Sequence, residues 1–320
     1  MTFAGSPERA EARLVPEAGF DLDTFRVSGL PRRPGVAQAR ALLHDLAAPA
    51  ACERILARRK PDVVLGGGSY VGGPMVLAAA RRRIPAAVME ADAHLGLANR
   101  LAAPFAKRVF LAFPVRGREG SKYRVTGRPI PVRSRPRPRD ESRRRFDLPG
   151  EGPILLVAGG SLGARSLNDL AVESFGATGP AVLHLCGERD LDRLQGHVSR
   201  PEYRLLAFTD DYGAALGAAD LVLSRAGGGV WELAAAGKPA VLIPYPFATA
   251  DHQTKNARYF QSAGGVILLP ETELGQAPEI VRSLLDDPRR LEEMGDAMLR
   301  VAKPDAADEI AEELLALARG

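Results

Sequence analysis

The stretch DLVLSRAGGGVWELAAAGKPAVLIPYPFATADHQTKN (residues 220–256) decides the fold. It holds two apolar runs, Leu221–Leu223 and Ala240–Pro244. The first run leads to glycines at 227–229 and then to a helical pattern from Val230, and the second leads to a polar cluster that opens another helix. Strands that alternate with helices in this way predict a parallel sheet with crossover helices.

The polar residues of this stretch suit a phosphorylated ligand. A glycine turn before a helix leaves backbone N–H groups unpaired, and their partial positive charge favours a phosphate. Glu232, in the first turn, could accept two hydrogen bonds from a ribose diol, and Gln253 and Asn256 are three residues apart and share a helix face. Each feature also has an ordinary explanation: a simple turn, a carboxylate that complements the helix dipole, and a solvated helix start.

The whole stretch resembles the donor-nucleotide half of the glycosyltransferases that use UDP-sugars on a GT-B scaffold. It is most similar to the MurG family, which adds N-acetylglucosamine to lipid I. Five further blocks follow the order of that family: 61–79 (PDVVLGGGSYVGGPMVLAA), 90–114 (EADAHLGLANRLAAPFAKRVFLAFP), 125–131 (VTGRPIP), 154–169 (ILLVAGGSLGARSLND) and 208–227 (FTDDYGAALGAADLVLSRAG). Because the blocks cover most of the chain, the resemblance is specific.

The resemblance implies an α/β fold of two doubly wound, Rossmann-like domains with a cleft between them. We expect residues 1–149 to form the acceptor-side and membrane-facing domain and residues 150–304 the donor domain, with a helix at about 305–320 packing back on the first. Eight apolar runs are the strand candidates: 62–65, 86–89, 108–112, 154–158, 181–185, 204–207, 221–223 and 240–243. The arginine-rich segment 133–145 is interpreted as a linker.

The implied activity is inverting transfer of N-acetylglucosamine from UDP-N-acetylglucosamine to undecaprenyl-linked lipid I, which forms lipid II for peptidoglycan, cell shape and division. The implied location is peripheral, on the cytoplasmic face of the cell membrane. No cofactor or metal is expected, since no Asp-x-Asp motif is placed to hold the diphosphate. Asp210 and Asp211 are adjacent and precede a helix, where N-capping is expected.

The resemblance also assigns binding residues. Those of the donor are Ser161, Gly163, Thr209, Arg225, Gly227, Gly228, Glu232, His252, Gln253 and Asn256. Those of the acceptor are Gly68, Ser69, Tyr70, Gly72, Gly73, Asp92 and Arg128. Glycine at such positions has a plainer role as well, since it permits close packing of strand and helix.

The chain departs from the family pattern in three places. The family opens with a strand and a glycine loop ending in a histidine, and this chain begins at the next strand. Either about 30 residues precede Met1 in the natural protein, which we favour, or the protein is catalytically impaired. The catalytic base is therefore unassigned, with Glu90 and His94 as weak candidates. Gly228 and Gly229 stand where the family has larger residues, and Pro131 replaces an arginine for which Arg128 or Arg133 could substitute.

Composition restricts the class of protein. Two cysteines without a partner motif, Cys52 and Cys186, argue against a disulfide framework or a zinc site. No apolar run is long enough to span a bilayer. Residues 1–150 carry 28 Lys and Arg against 14 Asp and Glu, and the remainder carries 15 against 25. The basic half suits an anionic membrane surface, although the surplus could equally be solvated.

Nucleic-acid binding is not expected, because no aromatic residues interleave with the arginines. Three other classes stay open: a UDP-N-acetylglucosamine epimerase or another UDP-sugar enzyme on the same scaffold, a Rossmann oxidoreductase, and a UDP-sugar-binding protein without activity. The oxidoreductase is weakest, since GGGSYVGG (66–73) lacks the dinucleotide spacing and the following acid.

Overall fold

The computed structural model describes residues 1–27, 36–160 and 163–320, without side chains for residues 36–47 and Ser69. The chain forms two compact units. One comprises Met1–Thr126 together with Asp308–Gly320, and the other comprises Gly127–Ala307.

The described residues form twelve β-strands and thirteen α-helices. The strands are β1 Phe3–Gly5, β2 Leu22–Thr24, β3 Val64–Gly66, β4 Ala86–Glu90, β5 Arg108–Leu111, β6 Tyr123–Val125, β7 Ile154–Ala158, β8 Ala181–Leu185, β9 Tyr203–Leu206, β10 Leu221–Ser224, β11 Ala240–Leu242 and β12 Val266–Leu268. The helices are α1 Glu11–Glu17, α2 Val36–Arg59, α3 Ser69–Arg81, α4 Leu97–Ala102, α5 Arg139–Arg145, α6 Arg165–Phe175, α7 Glu188–Gln195, α8 Tyr212–Ala218, α9 Val230–Ala235, α10 His252–Ser262, α11 Ala277–Leu285, α12 Pro288–Val301 and α13 Ala306–Arg319.

The first unit is built on two parallel sheets. Strands β1 and β2 pair with each other, and β3, β4, β5 and β6 form a second sheet in that order. Helices α2, α3 and α4 supply apolar residues to one core with these strands, including Cys52, Val76 and Ala102. The C-terminal helix α13 contributes Ile310, which packs on Ala87 and Phe110.

The second unit is built on one six-stranded parallel sheet with the order β12-β11-β10-β7-β8-β9. The two central strands, β7 and β10, pair from Leu221 opposite Leu155 to Ser224 opposite Ala158. All residues of β7 are buried, as expected for a parallel strand covered by helices on both faces. The strand order reverses between β7 and β10, which makes this the topological switch point of the sheet.

All eight predicted strands are present, each with bounds within two residues of those expected. The sequence missed β2, β6 and β12, each of which lies at the edge of its sheet. Their residues are largely exposed or half-buried. An edge strand buries fewer side chains, so its apolar pattern is weaker.

The interpretation of residues 133–145 as a linker is wrong. This segment contains helix α5, which packs on α8 and belongs to the second unit, so the division of the structure falls at 126/127 where the sequence suggested 149/150. Arg143 is fully buried, and its Nη2 donates to Asp220 Oδ2 at 2.9 Å. A buried guanidinium needs such an acceptor, because its desolvation is costly.

The charge contrast between the two halves shrinks accordingly. The first unit carries 21 Lys and Arg against 15 Asp and Glu, and the second carries 22 against 24. Much of the arginine surplus of residues 1–150 therefore lies on the second unit, where it is paired: Arg137 with Asp211, Arg139 and Arg143 with Asp220, and Arg145 with Asp210.

A buried polar network joins β8, β9 and α6. Asn168 donates from Nδ2 to Cys186 O and to Asp190 Oδ2, both at 2.8 Å. Its Oδ1 therefore accepts from His184 Nε2, 3.0 Å away, and His184 Nδ1 accepts from the Tyr203 hydroxyl at 2.8 Å. These partners define a neutral imidazole, and burial lowers the pKa of His184 to about 3. His184 is thus a structural residue.

This histidine predicts a loss of stability in acid. Its pKa is depressed in the folded state, so only the unfolded chain takes up the proton as the pH falls below about 6.5. Between pH 8 and pH 5 the free energy of unfolding should fall by about 2 kcal/mol through this group, and above about pH 8 His184 should contribute almost no slope. Urea unfolding of the wild type and of His184→Gln measures the effect as a pH-dependent difference between them. A difference that is constant with pH would contradict the assignment.

Candidate functional site

A cavity of about 1070 Å³ lies at the carboxyl ends of the strands of the second unit. The loops after five of the six strands contribute lining residues, from Gly159 after β7 to Glu271 after β12, and β8 contributes its last residue, Leu185. Ligands of doubly wound folds bind at this edge of the sheet, around the switch point. The cavity therefore has the expected position for a nucleotide site.

The loop after β7 makes a tight turn before α6. Gly160 and Gly163 have φ angles of +94° and +71°, a region that residues with a side chain rarely adopt. A Cβ at Gly163 would also collide with the carbonyl oxygen of Cys186. Only glycine fits at position 163. Because Gly159, Gly160 and Gly163 have no side chains, it is the backbone of this loop that lines the cavity. Ser161 lies outside the described residues.

The loop after β10 places Glu232 at the cavity. Residues 227–229 line the cavity and lead into α9, and Glu232 follows in the first turn. Glu232 accepts a hydrogen bond from Ser134 Oγ at 2.7 Å. The carboxylate is thus held in place by one hydroxyl and has acceptor capacity left for a ligand.

Arg225 is braced by neighbouring groups of the cavity wall. It forms an ion pair with Glu271, and its Nη2 also donates to Ser166 Oγ at 2.9 Å. Burial alone would raise the pKa of Glu271, but hydrogen bonds from Arg225 and Ser166 lower it. Arg225 is 10% exposed, and among the described residues its Nε has no hydrogen-bond partner. Its charge is therefore largely matched inside the protein.

Exposed aromatic residues flank the cavity on two sides. Phe208, beside Thr209 after β9, is 62% exposed, and Phe247 after β11 is 82% exposed. Phe247 packs edge-on against Tyr245, with ring centroids 5.7 Å apart. Near Phe247, Gln253 accepts from Tyr245 N at 2.8 Å, which leaves its amide nitrogen to donate. Apolar surface of this size at a cavity is typical of ligand sites.

The other two predicted donor residues on α10 lie off the cavity wall. Asn256 is buried and donates to Ala226 O at 3.2 Å, which supports the glycine loop from behind. The His252 Nδ1 atom lies 2.9 Å from Thr249 O, so this nitrogen carries a hydrogen and donates it to the carbonyl. Neither side chain lines the cavity.

Sequence reasoning missed several lining residues: Ser134, Ser166, Phe208, Tyr245, Phe247 and Glu271. The aromatic residues carried a signal, since each closely follows a predicted strand where apolar residues would otherwise be sparse. Ser134 carried none, because it comes from the segment that was interpreted as a linker.

In the first unit, the predicted acceptor glycines pack closely. Gly68, with φ +83°, precedes α3, whose first residue is Ser69. Gly72 lies against Gly66, and Gly73 against Ala98 of α4. Tyr70 is exposed. These contacts favour the packing role for Gly72 and Gly73, while Gly67 and Tyr70 beside them are exposed.

The catalytic candidate Glu90 supports the loop that follows β4. Its Oε1 accepts from Asp92 N at 3.2 Å, and its Oε2 accepts from Gly96 N at 2.8 Å and Asn99 Nδ2 at 3.0 Å. Glu90 is buried, whereas His94, in the same loop, is half-buried. Three donors already occupy the carboxylate oxygens, so the contacts of Glu90 give it a structural role in this loop.

The predicted cap of α8 is confirmed. Asp211 accepts from Ala214 N at 3.1 Å, and the neighbouring Asp210 pairs with Arg145. Within the described ranges, no group of three or more His, Cys, Asp and Glu side chains could hold a metal ion. Arg128, predicted as an acceptor residue, lies against Gly228 of the donor loop.

Helix α4 and the 3-10 turn that follows it, Ala103–Phe105, present apolar residues to solvent in the first unit. Leu97, Leu101 and Phe105 are exposed, while Leu95 is buried in the core. Arg100 and Lys107 are exposed beside them. Among the helices of the described residues, none combines the length and apolarity needed to cross a bilayer.

Comparison with known proteins agrees with this architecture. Residues 2–111 match the glycosyltransferase family 28 N-terminal domain, and residues 154–310 match the C-terminal domain of that family. Two curated relatives are named UDP-N-acetylglucosamine–N-acetylmuramyl-(pentapeptide) pyrophosphoryl-undecaprenol N-acetylglucosamine transferase. The one from Halorhodospira halophila is 39% identical over 97% of this chain and 88% of its own. The one from Halothermothrix orenii is 34% identical over 95% and 87%.

A solved structure gives the same result. The chain superposes on Acinetobacter baumannii MurG with a TM-score of 0.76 and 27% identity, over 98% of this chain and 90% of that one. The curated relatives, at 34–39% identity, and the solved structure all match this chain over nearly its full length and over most of their own. The similarity therefore extends over both domains and is not limited to one shared domain. The chain therefore belongs to the MurG family of GT-B glycosyltransferases.

Proposed function

We propose that this protein transfers N-acetylglucosamine from UDP-N-acetylglucosamine to lipid I, the undecaprenyl-pyrophosphoryl-linked N-acetylmuramyl pentapeptide, and so forms lipid II. The observation that carries the proposal is the cavity at the switch point, in a chain that matches relatives named for this reaction over nearly its full length.

The order of the strands suggests how the donor lies. Strands β9 and β11 are four steps apart in the sheet, about 19 Å at 4.7–4.9 Å per step. Thr209 and Phe208 at one side suit the uracil, and Gln253 and Phe247 at the other suit the sugar. Glu232 suits the ribose diol, and the glycine loops after β7 and β10 suit the diphosphate. An extended nucleotide-sugar fits this sequence of groups.

The chemistry is a displacement at the anomeric carbon. The acceptor hydroxyl forms a bond to that carbon and gives up its proton to a base as the carbon–oxygen bond to the diphosphate breaks and UDP leaves, which inverts the configuration. Backbone N–H groups beside the diphosphate stabilise the charge that grows on the leaving group. The protein also holds the two substrates in reactive geometry.

On the acceptor side, the loop at 66–70 is the proposed site for the pyrophosphate of lipid I. We further propose that α4 and the turn after it dock the protein on the cytoplasmic face of the membrane, through Leu97 and Leu101 of α4 and Phe105 of the turn. These side chains are exposed next to Arg100 and Lys107. Apolar insertion together with basic charge is the combination that holds a peripheral protein on anionic lipid.

Turnover tests the reaction. With UDP-N-acetylglucosamine and a lipid I analogue, the protein should release UDP and form the disaccharide product, and without acceptor it should release little UDP. Chromatography of the products distinguishes the alternatives. Conversion of the donor to a 2-epimer would indicate an epimerase, and donor binding without transfer would indicate a binding protein. Either result would contradict the proposal.

Glu232→Ala should weaken UDP binding by about 1 to 3 kcal/mol, because charge-assisted hydrogen bonds to the ribose are lost. The effect on stability should be smaller, since a first-turn carboxylate contributes about 0.3 to 1 kcal/mol through the helix dipole. Calorimetric titration and thermal unfolding measure the two quantities. Glu173→Ala, which removes an exposed carboxylate from α6, is the control. If UDP affinity is unchanged and the melting temperature falls, Glu232 only stabilises the start of α9 and does not bind the ribose.

Membrane docking predicts salt-sensitive vesicle binding. Co-sedimentation should increase with anionic lipid content and decrease from 0.1 to 1 M salt, as the Debye length falls from about 10 to about 3 Å. The double variant Leu97→Ser, Leu101→Ser should bind several-fold less, whereas Leu14→Ser, an exposed leucine of α1, should not differ from the wild type. Equally weak binding to neutral and anionic vesicles would remove the docking role.

A further inference from the structure

In the glycine loop after β10, the guanidinium of Arg128 occupies the space that a side chain at position 228 would fill. A Cβ built on Gly228 would collide with Nη1 and Cζ of Arg128 and would lie 3.1 Å from its Nε. The two neighbouring glycines are different. The nearest atom to a Cβ on Gly227 is Gln253 Nε2 at 3.9 Å, and on Gly229 it is Glu232 Oε2 at 3.3 Å. Position 228 must therefore lack a side chain for the guanidinium to occupy this place.

The Arg128 guanidinium has no acceptor in the part of the chain that the structure describes. It is half-buried, yet it forms no ion pair and no hydrogen bond there. Two other arginines of this unit have acceptors. Arg225, in the loop after β10, pairs with Glu271, and the buried Arg143 pairs with Asp220. Partial burial of a cation without a partner costs free energy, so an anion bound at the loop that contains Gly228 would stabilise this charge.

The position of the loop indicates which anion. Residues 227–229 line the cavity next to the switch point, between the Thr209 side and the Gln253 side. In the proposed donor arrangement, on which this inference depends, the diphosphate occupies that middle region. A guanidinium presents paired N–H donors that match phosphate oxygens, which makes arginine well suited to this group.

We propose that Arg128 is an electrostatic partner of the donor diphosphate, and that Gly228 is required because it leaves room for the Arg128 guanidinium. The sequence had assigned Arg128 to the acceptor, whose pyrophosphate has the same chemistry. Its contact with the donor loop favours the nucleotide. Measuring UDP binding in the absence of acceptor distinguishes the diphosphate of the nucleotide from the pyrophosphate of the acceptor.

The first test compares ligands that differ in their phosphates. Calorimetric titration of Arg128→Ala should show UDP affinity reduced about tenfold or more, as expected for a lost charged hydrogen bond, with uridine affinity unchanged. Arg128→Lys should recover part of the UDP affinity, because it restores the charge without the fork. Arg144→Ala, which removes an exposed arginine of α5, should bind UDP like the wild type.

The second test is a double-mutant cycle. Gly228→Ala should displace the guanidinium and weaken UDP binding about as much as Arg128→Ala, and the double variant should be no weaker than Arg128→Ala alone. Gly196→Ala, at an exposed position with φ −70° and no atom within 4 Å of the new Cβ, is the control for the substitution. Thermal unfolding of each variant checks that it is folded. If Arg128→Ala does not fold, Arg128→Lys takes its place in the comparison.

Three results would overturn the inference. Equal losses of UDP and uridine affinity in Arg128→Ala would mean that the side chain only supports the loop. Additive losses in the cycle would mean that Gly228 acts independently of Arg128. An unchanged UDP affinity with a raised KM for the lipid-linked acceptor would return Arg128 to the acceptor pyrophosphate. Failure of the wild type to bind UDP at all would instead remove the proposed function itself.

Discussion

The pairing of β7 with β10 is the contact on which the donor unit depends. These strands are not consecutive in the chain, yet Leu155 lies opposite Leu221 at the centre of the sheet. Because the strand order reverses between them, the loops that follow them diverge to opposite faces and leave a crevice. Both glycine loops of the cavity follow from this pairing, and so does the row of groups from Thr209 to Gln253.

Space left empty by glycine has two distinct uses in this site. At Gly163 the backbone conformation and the nearby carbonyl of Cys186 both exclude a side chain, so the glycine permits the turn itself. At Gly228 the backbone imposes no such demand, and the space is filled by Arg128. The first use concerns the path of the chain and the second concerns charge. A glycine-rich motif in the sequence does not separate the two.

Internal ion pairs explain why composition overstated the basic character of the first half. Arg143 is buried against Asp220, and Arg137 donates to Asp211, which also caps α8. These pairs fasten the segment after residue 126 to the second unit. The basic surplus that is left on the first unit is modest, so the exposed leucines of α4 become the stronger argument for membrane contact.

The sequence alone determined the fold class, eight of the strands and the position of Glu232, because buried parallel strands are continuous apolar runs and the glycine turns mark where they end. It could not determine which cations are free, since Arg225 and Arg128 look equivalent along the chain. Tertiary structure pairs one with Glu271 and leaves the other without an acceptor among the described residues. Long-range partners such as Asp220 for Arg143 arise from folding, 77 residues apart, and no local pattern encodes them.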